Sequence, residues 1–307
     1  MALAARESSP NRGAMPSVLS LAATLGAAAA ASGGVNHQDT QVLVPPTDKS
    51  LFFSEHNWAM QPGAASGSTV AVSVNAGAYI KAVFSGSSHA SFALEATRPG
   101  PTGGVHYMNV VFSIDNRDLI EVPILGNTTE VAVSAHCCDP NTTHTLQLFI
   151  YNSLQGANRW DDPAHGGAAL VVKGLTLERG AKLTPPPLLP RRAIFFGDSI
   201  TEGVNAECVN PTGCSGASDL CNNAATKTWG PTVAAALGAE YSQVGFGSLG
   251  WVVSGAGGVP AFFSPSEPGG NSWDKHFSNA NRSLAGLDYI FVGHATNDGL
   301  RTQRPAP

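Results

Sequence analysis

The segment FFGDSITEG, at residues 195–203, is the part of this sequence that sets the predicted fold. Its apolar start predicts a buried β-strand, which stops at the turn formed by Gly197, Asp198 and Ser199. Sheets of α/β proteins expose ligand-binding side chains just beyond the carboxyl ends of their strands. The sequence therefore predicts that the Ser199 hydroxyl faces a ligand site.

The pattern around this segment alternates strands with a helix. The helix is predicted at residues 226–237, with Thr228 as its N-cap, Pro231 in its first turn and Gly238 beyond its end. The predicted strands are residues 193–196, 241–246 and 287–292. Apolar strands that alternate with helices indicate a parallel sheet that is covered on both faces.

The first half of the chain shows short apolar or alternating runs, separated by turn residues. Eight strands are predicted, at residues 69–74, 79–85, 91–96, 107–114, 119–123, 130–134, 143–151 and 169–177. This spacing is typical of an all-β sandwich, which we assign to residues 45–180. A proline-rich segment then predicts a stiff, extended linker over residues 181–192, followed by a second domain at residues 193–307.

The composition and net charge of the chain restrict the fold classes and the kinds of partner that we expect. A length of 307 residues is enough for two domains. The 34 glycines and 21 prolines favour strands and loops over a helical bundle. Charged residues make up 13% of the chain, the net charge is −5, and no Lys/Arg cluster is present, so we expect no nucleic-acid partner.

The N-terminus predicts secretion. Arg12 precedes a short apolar segment at residues 17–26 and a run of alanines that ends at Ala31. This is the pattern of a secretory signal peptide, so residues 1–33 are interpreted as a cleaved leader, with no membrane span after its removal. A disordered, low-complexity leader is the alternative. Three N-glycosylation sequons, at Asn127, Asn141 and Asn281, agree with the secretory pathway.

The five cysteines fall into two groups, the adjacent Cys137 and Cys138 and a second group at residues 208, 214 and 221. In an oxidising compartment, a disulfide within the second group would stiffen the loop that follows Ser199. The odd count leaves at least one thiol without a partner inside the chain. No Cys or His spacing supports a zinc site.

Three segments resemble the first three sequence blocks of the SGNH (GDSL-like) hydrolases in residues, order and spacing. They are GDSIT at residues 197–201, GFGSLGW at 245–251 and ATND at 295–298. The resemblance covers residues 193–300. A β-sandwich before such a domain further resembles the two-domain acetyl-xylan esterases of carbohydrate esterase family 2. The elbow motif of the α/β-hydrolases is not met, because Thr201 stands where that motif requires glycine.

The resemblance implies a catalytic role for each matching residue. Ser199 would be the nucleophile, and its own N–H would be one donor of the oxyanion hole. A second backbone donor would come from Gly247 or Ser248. The side-chain amide of Asn297 would be the third donor.

Two positions depart from the pattern of the family. SGNH hydrolases usually have Ser-Gly-x-Gly where this chain has GSLG at residues 247–250, and glycine where it has Ala295. A backbone N–H donates equally well from any residue, but only glycine removes side-chain crowding. Side chains at Ser248 and Ala295 are therefore expected to crowd the backbone where the family has glycine.

The catalytic base is the part of the apparatus that the sequence does not supply. SGNH hydrolases take a histidine, often with an Asp three residues earlier, from a block near the end of the domain, and this chain stops before such a block. Seven of the nine histidines precede Ser199, which leaves His276 in a polar segment and His294 after the third predicted strand. His294 is the candidate substitute base. We expect either a protein that continues beyond Pro307 or an inactive form.

Taken together, these features predict an α+β two-domain chain, in which a jelly-roll-like β-sandwich precedes a partial α/β domain of the flavodoxin-like SGNH type. The resemblance implies a secreted serine esterase that deacetylates a polysaccharide or glycan through an acyl-enzyme on Ser199. Such an enzyme needs no metal and no organic cofactor. Its partner would be an acetylated carbohydrate or another small ester.

Two other functions stay open at this point. One is a carbohydrate-binding protein with a degenerate esterase module, in which Phe52, Trp58 or Tyr107 would stack on sugars. These aromatic residues are more simply interpreted as part of the core. The other is a lipid esterase, although the sequence contains no long apolar segment that would form a lid.

Overall fold

The computed structural model describes residues 40–95, 108–161, 168–207, 222–263 and 271–302, all within one compact unit, His37–Pro307. The predicted leader at residues 1–33, Tyr107 and the cysteines at 208, 214 and 221 lie outside the described residues. Within the described part, the regular structure is mostly β-strand, with three α-helices. None of these described helices is long and apolar enough to cross a membrane.

Two antiparallel sheets of six strands each form the first half. The first sheet contains, in spatial order, β3 (Ala59–Pro62), β4 (Thr69–Ser73), β11 (Leu170–Glu178), β6 (Ala90–Leu94) and β9 (Glu130–Ala132), with β1 (Gln41–Val44) paired to β11. The second contains β12 (Lys182–Thr184), β5 (Tyr79–Ser85), β10 (Thr143–Ser153), β7 (Met108–Ile114) and β8 (Ile120–Ile124), with β2 (Leu51–Phe53) paired to β5. All eight strands predicted for this half are present, with bounds that shift by two residues at most.

One apolar core joins these two sheets. In β10, the buried His144, Leu146, Leu148 and Ile150 alternate with less buried residues, which is the period of a strand with one face on a core. The side chains of both sheets share this core, so the sheets pack face to face. Each large apolar side chain buried in this way stabilises the fold by about 2 kcal/mol.

A three-stranded parallel sheet forms the centre of the second half. Its order is β14 (Ala239–Gly245), β13 (Arg191–Gly197) and β17 (Tyr289–Gly293), with the segment that carries the Gly-Asp-Ser turn in the middle. A two-stranded hairpin, β15 (Lys275–Phe277) with β16 (Ala280–Asn281), lies outside this sheet. The sheet agrees with the predicted parallel strands, and the flavodoxin-like topology of a complete domain stays a prediction.

The two faces of the parallel sheet have different covers. On one face, Ala193 and Phe195 pack against α2 (Trp229–Leu237). On the other face, Ile194 and Phe196 share a cluster with residues of the sandwich strands β4 and β11. A sandwich sheet therefore takes the place of a second helix layer. On β17, Ile290 and Val292 are 55% and 40% exposed, so the described residues leave the outer strand partly uncovered.

The start of α2 differs from the prediction. The α-helix begins at Trp229, after a 3-10 turn at Ala225–Lys227, and Thr228 holds the N-cap position without a side-chain cap. The Thr228 hydroxyl instead donates to the carbonyl of Ala225 at 3.1 Å and to Oε1 of Gln243 at 2.8 Å. A tertiary contact with β14 has replaced the local one. Gly238 ends the helix in a left-handed conformation, as predicted.

Buried charges connect the sandwich to the parallel sheet. Glu240 of β14 is 4% exposed and accepts hydrogen bonds from Lys81 of β5 at 2.7 and 2.8 Å. The Tyr79 hydroxyl also donates to Glu240, and the backbone N–H of Leu189 donates to it at 3.0 Å. Burial raises the pKa of Glu240, but these donors outweigh it and hold that pKa below its ordinary value.

Part of the segment that the sequence predicts as a linker is regular structure. β12 (Lys182–Thr184) pairs with β5 of the sandwich, and β13 begins at Arg191. The intervening prolines have no N–H to donate to a ladder, so the strand stops at Thr184. In the sandwich itself, the adjacent Cys137 and Cys138 form a disulfide.

Candidate active site

Ser199 is the first residue of α1 (Ser199–Glu202), directly beyond the carboxyl end of the central strand. Asp198 is the N-cap, and its Oδ1 accepts the N–H of Ile200 at 2.9 Å. Gly203 ends this single helical turn with a φ of +90°. The Ser199 hydroxyl makes no hydrogen bond within the described residues. The local sequence therefore presents this hydroxyl at the predicted edge of the sheet.

Two glycines allow α1 to lie directly on the strand ends. A Cβ on Gly197 would overlap the side chain of Thr201, and a Cβ on Gly245 would overlap the backbone of Glu202. The Thr201 hydroxyl accepts the indole N–H of Trp229 at 3.0 Å. The helix that carries Ser199 is thus fixed between β13, β14 and α2.

Asn297 reaches the same edge from the third strand. It lies in α3 (Thr296–Thr302), which follows β17. Its side-chain amide donates to the carbonyl of Leu249 at 3.0 Å and lies 3.4 Å from Oδ2 of Asp198. Both hydrogens of the amide are thus donated inside the protein, and they hold the group beside the Asp198–Ser199 turn. Asn297 therefore contacts Asp198, the residue that directly precedes Ser199.

The backbone of Gly247 has a different partner from the one expected. Its N–H donates to Oε2 of Glu202 at 2.6 Å, so this amide is engaged inside the protein. The N–H of Ser248 has no hydrogen bond within the described residues. Of the two backbone donors that the sequence left open, Ser248 is the one whose amide is free for a ligand.

Both departures from the family pattern fall on unusual backbone. Ser248 has a φ of +62° and Ala295 a φ of +104°. Glycine adopts such values without a side-chain clash, whereas other residues pay about 1 kcal/mol or more. The positions at which SGNH hydrolases have glycine are therefore positions at which this backbone favours glycine.

Asp298 holds the turn that contains Ser248. Its Oδ2 accepts the N–H of Trp251 at 2.7 Å and its Oδ1 the N–H of Val252 at 3.0 Å. A Cβ on Gly250 would overlap this carboxylate. Sequence reasoning assigned no role to Asp298, although it follows Asn297 directly. An acidic residue beside a predicted oxyanion donor was the available signal.

A second contact that the sequence did not indicate is a buried ion pair. Glu202 accepts a hydrogen bond from Arg159, a residue of the loop that follows β10 of the sandwich. Arg159 is 0% exposed and Glu202 is 3% exposed. The sequence contains no local signal for this pair, because its members are 43 positions apart, one in a loop of the sandwich and the other in α1.

His294 does not contact the Ser199 hydroxyl. Its ring packs against those of Trp251 and Phe262, at centroid distances of 5.6 and 4.7 Å. Both ring nitrogens are buried. Burial lowers the pKa of His294, against an opposite effect of the Asp198 carboxylate. The geometry gives no support to the expectation that His294 substitutes for the base.

His276 is placed differently from its prediction in a polar segment. It is buried in β15, and burial, together with the charges of Arg282 and His56, lowers its pKa to about 2. It makes no hydrogen bond to Ser199. No described group of three or more His, Cys, Asp or Glu side chains is arranged to hold a metal ion.

Several apolar side chains near the motif segments are exposed. Ile200 is 61% exposed, Val252 75% and Phe263 46%. Phe263 stacks on Trp251 with a centroid distance of 5.6 Å and an interplanar angle of 5°. We call Ile200, Trp251, Val252 and Phe263 the apolar rim. Ile200 follows Ser199 directly, and the backbone N–H groups of Trp251 and Val252 donate to Asp298.

Two of the three aromatic residues considered for sugar stacking, Trp58 and Phe52, lie within the described residues and pack inside the protein. Trp58 is 8% exposed and belongs to the core shared by the two sheets. Phe52 is half-buried and packs against the ring of Tyr79. Their interpretation as core residues is the one that fits the packing.

Comparison with solved structures identifies similar folds. A family 2 carbohydrate esterase from Cellvibrio japonicus matches with a TM-score of 0.61 and 16% identity, over 84% of this chain and 68% of that one. A family 2 carbohydrate esterase from Clostridium thermocellum, solved in complex with cellohexaose, matches with a TM-score of 0.55 and 15% identity, over 81% and 66%. An acetyl xylan esterase from Butyrivibrio proteoclasticus matches with a TM-score of 0.54 and 18% identity, over 83% and 67%.

No protein-family model and no curated protein sequence matches this chain. The chain spans about two thirds of the length of the solved structures that it matches. At these identities the likeness concerns the fold. In fold, this chain resembles the family 2 carbohydrate esterases, which have the SGNH fold.

Proposed function

We propose that this chain is a secreted serine esterase that removes acetyl groups from a carbohydrate. The observation that carries the proposal is the position of the Asn297 amide, 3.4 Å from the carboxylate of Asp198, the residue before Ser199. In the proposal, the Ser199 hydroxyl is the nucleophile and the N–H of Ser248 is an oxyanion donor, and the Asn297 amide joins them when a ligand replaces its bond to Asp198. Acyl transfer also requires a base. The likeness to family 2 carbohydrate esterases supports the same reaction class.

The reaction proceeds through an acyl-enzyme. Oγ of Ser199 attacks the acetyl carbonyl carbon while a base takes its proton. The N–H groups of Ser199 and Ser248 and the Asn297 amide stabilise the oxyanion. The bond from carbon to the sugar oxygen then breaks, the sugar oxygen takes the proton, and water releases acetate from Ser199.

The proton of the Ser199 hydroxyl needs an acceptor other than a described histidine, because no described histidine makes a hydrogen bond to Ser199. A small soluble base can replace a missing side chain where the nucleophile is open to solvent. Imidazole of the buffer would accept the Ser199 proton and return it to the leaving sugar oxygen. The proposal therefore extends to an acetyl-transfer site whose turnover imidazole increases.

The experiment measures acetate release from acetylated xylan at increasing imidazole concentrations. We expect release that Ser199→Ala abolishes and imidazole increases. Release that is equal in Ser199→Ala, or absent at every imidazole concentration, would overturn the proposal. A long-chain glycerol ester serves as a second substrate, and faster hydrolysis of that ester would favour a lipid esterase.

The apolar rim supports the carbohydrate as substrate. Aromatic faces such as that of Trp251 bind the apolar face of a sugar ring, while backbone and amide groups fix its orientation. The family 2 carbohydrate esterase from Clostridium thermocellum was solved in complex with cellohexaose. We extend a polysaccharide ligand to this chain as part of the proposal.

A carbohydrate-binding protein without turnover is the second candidate, favoured by the lack of a described histidine at Ser199. Affinity electrophoresis in xylan gels distinguishes the two. Retardation that persists in Ser199→Ala, is lost in Trp251→Ala and is accompanied by no acetate release would favour binding alone.

A further inference from the structure

The loop after β10 belongs to the sandwich, yet it reaches the helix of Ser199. Arg159 of this loop is a fully buried charged side chain, and it pairs with Glu202, which lies three positions after Ser199. Burying two charges is costly unless they are paired and otherwise hydrogen-bonded. Because this ion pair is costly to bury and lies beside the candidate nucleophile, we looked for the contacts that it fixes.

The Glu202 carboxylate accepts three hydrogen bonds from two separate parts of the chain. It accepts from Arg159, from Nε2 of Gln155 at 3.1 Å and from the N–H of Gly247 at 2.6 Å. The first two donors lie in the sandwich loop, and the third lies in the turn that contains Ser248. The carboxylate therefore fixes the distance between α1 and this turn.

Arg159 is itself held from several sides. Its backbone N–H donates to the carbonyl of Gly257 at 2.9 Å, and its Nη2 donates to the carbonyl of Ala256 at 3.4 Å. Its guanidinium lies over the ring of Phe246, 5.0 Å from the centroid. The planar, forked guanidinium thus has a fixed orientation toward Glu202.

We propose that Arg159 is a positioning residue for the Ser199 site, which acts by holding Glu202 against the N–H of Gly247. With this amide engaged, the turn continues into Ser248 with its own N–H free, and Ser248 supplies the oxyanion donor. The sandwich is then part of the esterase site rather than a separate binding module. This inference rests on the proposed function, but its first test does not require turnover.

The test compares Arg159→Gln with Lys81→Met. Lys81 also forms a buried ion pair between sandwich and parallel sheet, with Glu240 at the opposite end of β14 from Gly245. Both changes weaken the contact between the two halves, but only the first touches Glu202. Amide hydrogen exchange, read by mass spectrometry on peptides that cover residues 246–252, is the first measurement.

We expect exchange in this turn to increase by about tenfold or more in Arg159→Gln, the effect of one lost hydrogen bond to a charged group. Lys81→Met should leave exchange in this turn unchanged, and Arg159→Lys should give an intermediate value. Equal exchange of the turn in Arg159→Gln and in the unmodified protein would overturn the inference. So would an equal increase in Lys81→Met.

The second measurement separates positioning from general stability. The double variant Arg159→Met with Glu202→Met replaces the pair by apolar groups, which commonly restores thermal stability. It provides no acceptor for Gly247. We therefore expect recovered thermal stability but a kcat that stays about 100-fold low, with KM little changed. Recovery of kcat together with stability would overturn the positioning role.

The two proposals fail in different ways. If Ser199→Ala leaves acetate release unchanged, the proposed function is wrong, while the exchange result still decides whether Arg159 positions the turn. If Ser199→Ala abolishes acetate release but Arg159→Gln changes neither exchange nor kcat, the proposed esterase function is supported and the positioning role of Arg159 is refuted.

Discussion

The side-chain nitrogen of Asn297 lies 3.4 Å from Oδ2 of Asp198, although 99 positions separate the two residues in the chain. The strand pairing explains this proximity, because β13 and β17 are neighbours in register and end at Gly197 and Gly293. Each motif residue lies a few positions beyond its strand end. The parallel register therefore brings the segments together.

We predict that Asn297→Ala lowers kcat for acetate release by about 10²–10³-fold with little change in KM, because the lost amide acts on the oxyanion. Steady-state kinetics in the buffer that supports turnover provide the measurement. Asn279→Ala, at an exposed asparagine, is the matched control. A change confined to KM, or the same loss of kcat in the control, would contradict this role.

Glycine at two strained positions should stabilise the protein. Ser248→Gly and Ala295→Gly remove side chains from residues with φ of +62° and +104°. We expect each to raise the free energy of unfolding by about 0.5–1 kcal/mol, after the entropy cost of glycine. Urea unfolding measures the change. Ala64→Gly, at an exposed alanine, should be destabilising instead, and destabilisation by all three would refute the argument.

Acid should destabilise the fold through buried histidines. Burial lowers the folded-state pKa of His276 to about 2, and His56 and His294 shift in the same direction. Below pH of about 6.5 the unfolded chain binds protons that the folded protein does not, so the stability present above this pH is lost as pH falls. For His276 the loss is about 1.4 kcal/mol per pH unit.

Unfolding free energies measured between pH 7.5 and 5 test this prediction. We expect His276→Leu to reduce the slope of stability against pH by one proton. His136→Gln, at an exposed histidine, should keep the original slope. An unchanged slope in His276→Leu would show that the imidazole is protonated in the folded state.

N-linked glycans should occupy surface positions on this protein. Asn127, Asn141 and Asn281 are the acceptor residues of the three sequons, and all three are exposed. Expression through a eukaryotic secretory pathway should therefore give a mass that falls on glycosidase treatment. Asn→Gln at each position should remove one glycan. Absence of any shift in the intact mass would speak against modification.

Strand and helix patterns in the sequence predicted much of the fold, because the spacing of apolar residues along an element shows which of its faces is buried. The motif around Ser199 and the apolar core of β13 are examples, as is the face of α2 that Trp229, Val233 and Leu237 share. The short strands β1, β2, β3 and β12 were missed, since three or four residues carry too little pattern.

The features that sequence reasoning missed depend on tertiary partners. The Arg159 side chain meets Glu202 only after the sandwich has packed on the parallel sheet. The Thr228 hydroxyl likewise donates to Gln243 of β14 and does not cap its own helix, because β14 packs beside the start of that helix. The N–H of Gly247, one of the two alternatives for the second oxyanion donor, donates to the Glu202 carboxylate, which no motif marks. Local sequence patterns identify the residues of a site. Contacts between residues far apart in the sequence determine which of its donor atoms already have a hydrogen-bond partner inside the protein.

The buried cluster of Glu240 with Lys81, Tyr79 and the N–H of Leu189 has a practical consequence for anyone who divides this protein. Expression of residues 193–302 alone would leave a carboxylate in the parallel sheet without its cation, and would remove the sandwich sheet that covers Ile194 and Phe196. The half that contains Ser199 should therefore be produced together with the sandwich, as one folding unit.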